Sequence, residues 1–328
     1  MSLILIVFIV TALTFDFLNG FHDSANIVAT MIASRAMSPR RALMLSAVAH
    51  FAGPFLFGVA VATTIGHEVV QPRASTMPVV LAALLSAIVW NLLTWFLGIP
   101  SSSSHALVGG LVGATVVGYG TDAVQSHGLI KIVAALFLSP PVGLIAGYAL
   151  MKLVLFLARG FSPRINRFFK QIQTLTALGL ALSHGANDAQ KTMGIVTMGL
   201  VGAGVLREFH VPLWVIAASA GAISLGTSLG GWRIIRTLGG KFYKIRPVHG
   251  FTTQVTSAAV ILGAALLGGP VSTTQVVSSA ILGIGSAERV NKVRWGVAGN
   301  IVTAWLLTIP ASGLLAALIY LVVRHIVS

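Results

Sequence analysis

Gly20-Phe21-His22-Asp23-Ser24-Ala25-Asn26 is a polar knot set inside an apolar run that extends from Ser2 to Ala33. A second knot, Gly185-Ala186-Asn187-Asp188-Ala189-Gln190-Lys191, follows 165 positions later. Its plan is the same: a glycine, a polar residue and an aspartate, then an amide or amine three residues beyond. What surrounds the two knots decides the fold.

The chain has 328 residues, 56% of them hydrophobic and only 9% charged. Its mean hydropathy is +0.92, whereas a soluble domain carries roughly 25% charged residues. A large soluble core would need a charged surface that this sequence lacks, so it reads as an all-α polytopic membrane protein. No cysteine occurs, which excludes disulfides and thiolate metal sites. The first apolar run has no basic leader and no small-residue cleavage site, and reads as a retained helix. The net charge of +14 does not point to nucleic acid, because the basic residues sit in short loops between apolar runs rather than on one surface.

Apolar segments fall at about 2–19, 24–34, 42–66, 78–98, 105–120 and 129–157, and again at 172–184, 189–206, 211–231, 250–268, 275–287 and 295–325. A crossing helix needs about 20 apolar residues. The shorter runs therefore imply broken helices or re-entrant hairpins, with breaks expected at the knots themselves. Placing 16 of the 21 Lys and Arg residues in the cytoplasm leaves only Arg73, Lys131, Arg207 and Arg324 outside and Lys191 in the core. Counting 2–34 and 172–206 as single crossings gives five per half. The expected plan is a first membrane repeat at 1–158, a basic cytoplasmic linker at 159–171 and a second, inverted repeat at 172–328. Both termini then lie outside the cytoplasm of a multi-pass protein of the cell (inner) membrane.

A second matched pair supports the duplication. Gly98-Ile99-Pro100-Ser101-Ser102-Ser103-Ser104-His105 aligns with Gly268-Gly269-Pro270-Val271-Ser272-Thr273-Thr274-Gln275, 170 positions on. Proline followed by Ser or Thr reads as the N-terminus of a half-helix. Such an end binds anions through its free N–H groups and dipole, and the hydroxyls add neutral donors.

A mid-membrane aspartate costs about 2.5–3.5 kcal/mol on insertion scales, so Asp23 and Asp188 need partners. Lys191, three residues from Asp188, can form a structural ion pair with it. Asp23 has no Lys or Arg within reach along its helix and shares its knot with Asn26. A carboxylate beside amide oxygens is a site for a hard cation such as Na⁺, or a protonatable relay. Asp16, seven residues before Asp23, either extends that path or caps a neighbouring helix.

The two knots, both Pro-Ser/Thr runs and the Gly-Thr-x-x-Gly-Gly-x-Arg-Ile stretch at 226–234 together resemble the inorganic phosphate transporter family usually called PiT, over nearly the whole chain. The resemblance implies a phosphate symporter whose coupling cation is held by Asp23, Asn26, Asn187 and Asp188. It further implies phosphate binding by Ser102, Ser103, Ser104, Gln190, Ser272, Thr273 and Thr274. Two departures stand out. Gln275 replaces a histidine often found in the family, and the short linker suits a minimal prokaryotic form.

The expectation is thus a secondary transporter, not an enzyme, that imports inorganic phosphate, free or as a metal–phosphate complex, with Na⁺ or H⁺ by alternating access. The alternative is a transporter of another tetrahedral oxyanion such as sulfate. No cofactor beyond the coupling ion and no nucleic acid partner is expected. The bilayer is the surrounding partner, and a homodimer is a prior from transporters of this plan. His50, His67, His127, His210 and His249 show no metal-ligand spacing and are assigned loop or packing roles. The tryptophans are assigned to the membrane interfaces.

Overall fold

The computed structural model describes residues 3–327. Among these the chain forms twelve α-helices, with no β-strand beyond an isolated bridge between Val70 and Val124. The first six are α1 (Leu3–Ala33), α2 (Pro39–Leu56), α3 (Ala60–His67), α4 (Met77–Leu97), α5 (Ser103–Tyr119) and α6 (Ser126–Leu157). The next six are α7 (Ile165–Gly202), α8 (Leu213–Leu229), α9 (Trp232–Gly240), α10 (Pro247–Leu266), α11 (Thr273–Glu288) and α12 (Trp295–Val327). Each set reads as a long helix, a bent pair, a helix, a short helix and a long helix.

Packing between the sets is reciprocal. α1 lies on α8 and α7 on α2, while α5 lies on α12 and α11 on α6. Glycines of both knots permit the first of these approaches. A Cβ on Gly20 would fall 2.1 Å from the Ile223 carbonyl oxygen, and one on Gly185 would fall 2.5 Å from that of His50. Along α1 and α7 the partners run in opposite order: Phe8 meets Gly199, and Ser34 meets Gln173. The two helices are therefore antiparallel.

The breaks fall at other places than the sequence suggests. α1 runs unbroken through Gly20–Asn26, and α7 through Gly185–Lys191. A buried carboxylate needs a partner rather than a broken backbone, and both aspartates find theirs along their own helices and sideways on α11. The bends occur one element later, by 77° between α2 and α3 and by 68° between α8 and α9. The proline breaks are where expected. α4 and α10 end on Gly98 and Gly268, both with positive φ, at 68° and 71°. An extended Pro100 or Pro270 segment follows, and Ser102 and Ser272 then cap the next helices by accepting from the N–H groups of His105 and Gln275. Trp305, assigned to an interface, is instead buried and donates to the Pro100 carbonyl at 2.9 Å.

Four helices, α1, α4, α6 and α12, are long and apolar enough to cross a membrane, or up to six spans if each bent pair counts as one. Five crossings per half are not reached on this measure. α7, α10 and α11 are instead loaded with buried polar side chains. Leu and Phe side chains of α4, α6 and α12, such as Phe96, Leu138 and Leu314, are exposed on the outside, as a lipid-facing belt requires. Inside, one apolar cluster takes Phe8 and Phe15 of α1 with Met193 and Ile195 of α7. A second takes Ile27 and Met31 of α1 with Ala177 and Leu180 of α7. The polar knots occupy the gap between the two clusters.

Candidate functional site

On α1 the spacing i, i+4, i+7 puts Asn19, Asp23 and Asn26 on one face, and on α7 it does the same for His184, Asp188 and Lys191. All six are buried. The N-terminus of α11 closes the space between the faces. The Thr273 hydroxyl lies 3.1 Å from Asp188 Oδ2 and 3.4 Å from Asp23 Oδ2, so its single proton can serve either carboxylate. Thr274 donates to Asp23 Oδ1 at 2.9 Å and accepts from Asn26 Nδ2 at 3.0 Å.

Each carboxylate has a histidine. His22 Nδ1 stands 2.8 Å from Asp23 Oδ1, and His184 Nδ1 stands 2.8 Å from Asp188 Oδ2. The Lys191 ammonium donates to Asp188 Oδ1, which makes the expected ion pair. One oxygen or nitrogen from each of Asp23, His184 and Asp188 can be chosen so that all three lie within 4.8 Å of one another. The side-chain oxygens of Asn26 and Asn187 have no hydrogen-bond partner. Two carboxylates and orphaned amide oxygens suit a hard cation.

Other expected residues lie further out. Ser103 donates to Asn19 Oδ1 at 2.7 Å, which ties the N-terminus of α5 to the α1 face, and Ser104 donates to the Val271 carbonyl at 3.2 Å. Ser102 and Ser272 act as helix caps. Asn187 donates to the Gly269 carbonyl in the break before α11, at 3.2 Å. Gln190 makes its hydrogen bonds to neighbouring backbone. Its Oε1 accepts from the N–H groups of Val61 and Ala62 at 2.8 and 3.2 Å, which caps α3. Ser24 does the same service for α9, accepting from Gly231 N–H at 2.9 Å. Asp16 is buried with no hydrogen-bond partner on either oxygen, and it caps no helix.

Asn19 and His184 belong to neither sequence motif, although each stands four residues before its aspartate. His50, expected in a loop or packing role, stands beside the site. It is buried, with its ring 5.0 Å from that of His184 and its Nδ1 2.7 Å from the Thr227 hydroxyl. Gln275, in place of the histidine, comes within 3.5 Å of His105, its counterpart in the first half.

Residues 19–316, which hold both knots and both Pro-Ser/Thr runs, match the phosphate transporter family PHO4. The chain belongs to this family. It is 45% identical over 325 residues to a probable low-affinity inorganic phosphate transporter of Bacillus subtilis, covering 98% of this chain and 97% of that one. A protein of the same description from Rhizobium meliloti is 44% identical, covering 97% and 96%. Among solved structures, one described as "the sodium-dependent phosphate transporter" superposes with a TM-score of 0.89 at 26% identity, over 99% of this chain and all of that one. These relatives are named as transporters, and the chain is accordingly a transporter rather than an enzyme.

Proposed function

We propose that this phosphate transporter imports inorganic phosphate by symport with a cation, through alternating access, and that the cluster between α1, α7 and α11 binds both solutes. The observation that carries the reading is Thr273, which stands at the first turn of α11 and reaches both Asp23 and Asp188. A helix N-terminus that attracts an oxyanion is thereby set directly on two carboxylates that repel one. Lys191 offsets only one of these charges, so phosphate binds beside the pair when a cation offsets the other. That requirement is itself the coupling, and linkage makes it reciprocal.

In this reading Asp23 and Asp188 hold the coupling ion with the amide oxygens of Asn26 and Asn187. Ser103, Thr273 and Thr274 and the first turns of α5 and α11 hold phosphate, with Ser102 and Ser272 shaping those turns. No Arg lies in either knot. Neutral donors release an oxyanion more readily than a permanent guanidinium clamp does. The repeated element order, the reciprocal packing and the antiparallel α1 and α7 support two inverted repeats, 1–158 and 172–328, that rock about the shared site. The name of the structural neighbour favours Na⁺ as the coupling ion.

The test is uptake of labelled phosphate into proteoliposomes under an inward Na⁺ gradient or an inward pH gradient, with sulfate as competitor. Phosphate uptake under Na⁺ alone assigns the two aspartates to Na⁺, and uptake under the pH gradient alone assigns them to protons. Sulfate uptake at an equal rate selects a general oxyanion transporter, and no uptake from a folded, inserted protein overturns the reading.

A further inference from the structure

From the cluster, the face of α1 continues polar for two more turns, as Asn26, Thr30 and Ser34. Each of these meets α7 or α10. Asn26 Nδ2 lies 3.4 Å from His184 Nε2. One turn on, Gln254 of α10 stands between helices: its Oε1 accepts from Thr176 of α7 at 2.6 Å, and its Nε2 reaches Thr30 at 3.5 Å. At the third turn Gln173 joins all three helices. Its Oε1 accepts from Ser34 at 3.0 Å, and its Nε2 donates to the carbonyls of Pro247 at 3.0 Å and Phe169 at 3.2 Å. Gly250 leaves the room for it, since a Cβ there would fall 2.4 Å from Gln173 Oε1. Ser257, three residues from Gln254 and on its side of α10, has a buried hydroxyl with no partner.

The third tier opens onto a cavity of about 590 Å³ lined by Ser34 and Pro247, the partners of Gln173, together with Arg35, Lys244, Arg246 and Arg294. Arg35 is the one non-glycine residue with positive φ among the described residues, at 56°. It closes α1 in a left-handed turn, its N–H donating to the Ile32 carbonyl at 3.1 Å and that of Ala36 to the Met31 carbonyl at 2.9 Å, which fixes the rim of the cavity. The neighbouring Glu288 is engaged by Arg246, His249 and Lys292. A concave surface lined by one sign of charge concentrates counter-ions.

The corresponding turns of α7 run the other way and are closed differently. Positions seven and eleven after Asp188 are Ile195 and Gly199, where α1 has Thr30 and Ser34 after Asp23. Ile195 is buried in an apolar cluster, and Phe8 packs on Gly199.

We propose that the polar seam between α1, α7 and α10 is the route by which phosphate leaves the central cluster, closed here by Gln254 and Gln173, and that the basic cavity is its anion-binding vestibule. This rests on the transport reading, and the charge bias of the loops puts the vestibule on the cytoplasmic side. Opening requires that two amides exchange their partners for water and that the neighbouring contacts of Ile27 and Met31 with Ala177 and Leu180 shift. The opposite seam must part an aromatic and aliphatic contact.

The chain has no cysteine, so single cysteines report without background. Thr30→Cys, Ser34→Cys and Ile195→Cys are reconstituted in phosphatidylcholine vesicles and exposed to a membrane-impermeant methanethiosulfonate, with labelled phosphate uptake measured on the same samples. Thr30→Cys is expected to react at least tenfold faster than Ile195→Cys from the vestibule side, to be slowed severalfold by saturating phosphate, and to react faster still with Gln173→Ala added. Uptake with Thr30→Cys no more reactive than Ile195→Cys in either background overturns the route alone, whereas absence of uptake from every folded variant overturns the transport reading beneath it. For the vestibule, Arg35→Asn, which tolerates left-handed backbone, combined with Arg294→Gln should raise the half-saturating phosphate concentration from that side about tenfold in the same neutral vesicles. An effect that appears only when anionic lipid is added would give the cavity to a lipid headgroup and overturn its assignment to phosphate.

Discussion

The central face of α1 reads Asn19, Asp23, Asn26 and that of α7 reads His184, Asp188, Lys191. One aspartate is flanked by two amides, the other by an imidazole and an ammonium. Asp23 has only the neighbouring His22 on its own helix and takes its other hydrogen bonds from Thr274 and Thr273 of α11. Asp188 has a full partner on its own helix in Lys191 and a second in His184. The same backbone plan thus yields one carboxylate with no lysine or arginine partner and one held in an ion pair by Lys191. On the proposed reading, the difference teaches where a coupling ion would have most to gain: at Asp23, with Asp188 as the anchored side of the pair.

Removing the charges tests this comparison most strongly. Asp23→Asn and Asp188→Asn are both expected to lower phosphate uptake at least a hundredfold, with near-normal uptake in either refuting the shared cation site. Their stabilities should separate. Asp23→Asn keeps the melting temperature close to wild type, whereas Asp188→Asn leaves a buried ammonium unpaired, a loss of about 3–5 kcal/mol. Asp188→Asn combined with Lys191→Asn should recover that stability but not the uptake.

Lys191→Asn alone gives the second face the amide of the first. Uptake should survive with a cation requirement shifted about tenfold, read as the half-saturating Na⁺ concentration or as the pH midpoint. An unchanged requirement would mean that Lys191 is only a structural pair. The hydroxyls come next. Thr273→Ala, which touches both aspartates, should raise the half-saturating phosphate concentration more than Ser103→Ala, which loses one bond worth about 0.5–1.5 kcal/mol. An equal or reversed order, or no change in either, removes α11 as the dominant anion site. The smallest effect is expected at Gln190→Ala and Ser24→Ala. Each strips a cap from a short helix at about 0.5–2 kcal/mol, visible in thermal stability and scarcely in phosphate affinity.

The parts most legible in the sequence were those written as repeats. Gly98-x-Pro100 and Gly268-x-Pro270 announced two stops and two starts, because a left-handed glycine and a proline leave the backbone little choice. The continuity of α1 and α7 was not legible, since whether a buried carboxylate breaks a helix depends on what stands beside it. Thr273 and Thr274 stand some 250 residues from Asp23 in the chain. Asn19 and His184 were hidden for a simpler reason, as polar residues at the edge of apolar runs with no motif of their own. Spacing of four from each aspartate was the available signal. Gln190 shows the converse, a side chain within a diagnostic motif that the structure commits to capping α3.

The exchange of caps, Gln190 onto α3 and Ser24 onto α9, has a consequence for biogenesis. A ribosome that has delivered residues 1–158 to the bilayer has not delivered a finished unit, because the short helix that follows α2 waits for a residue in α7. The first half must persist in the membrane with an open seam until its counterpart emerges. A chain truncated at the linker should therefore be degraded faster than the full chain in pulse-chase, and the two halves expressed as separate genes should accumulate only together.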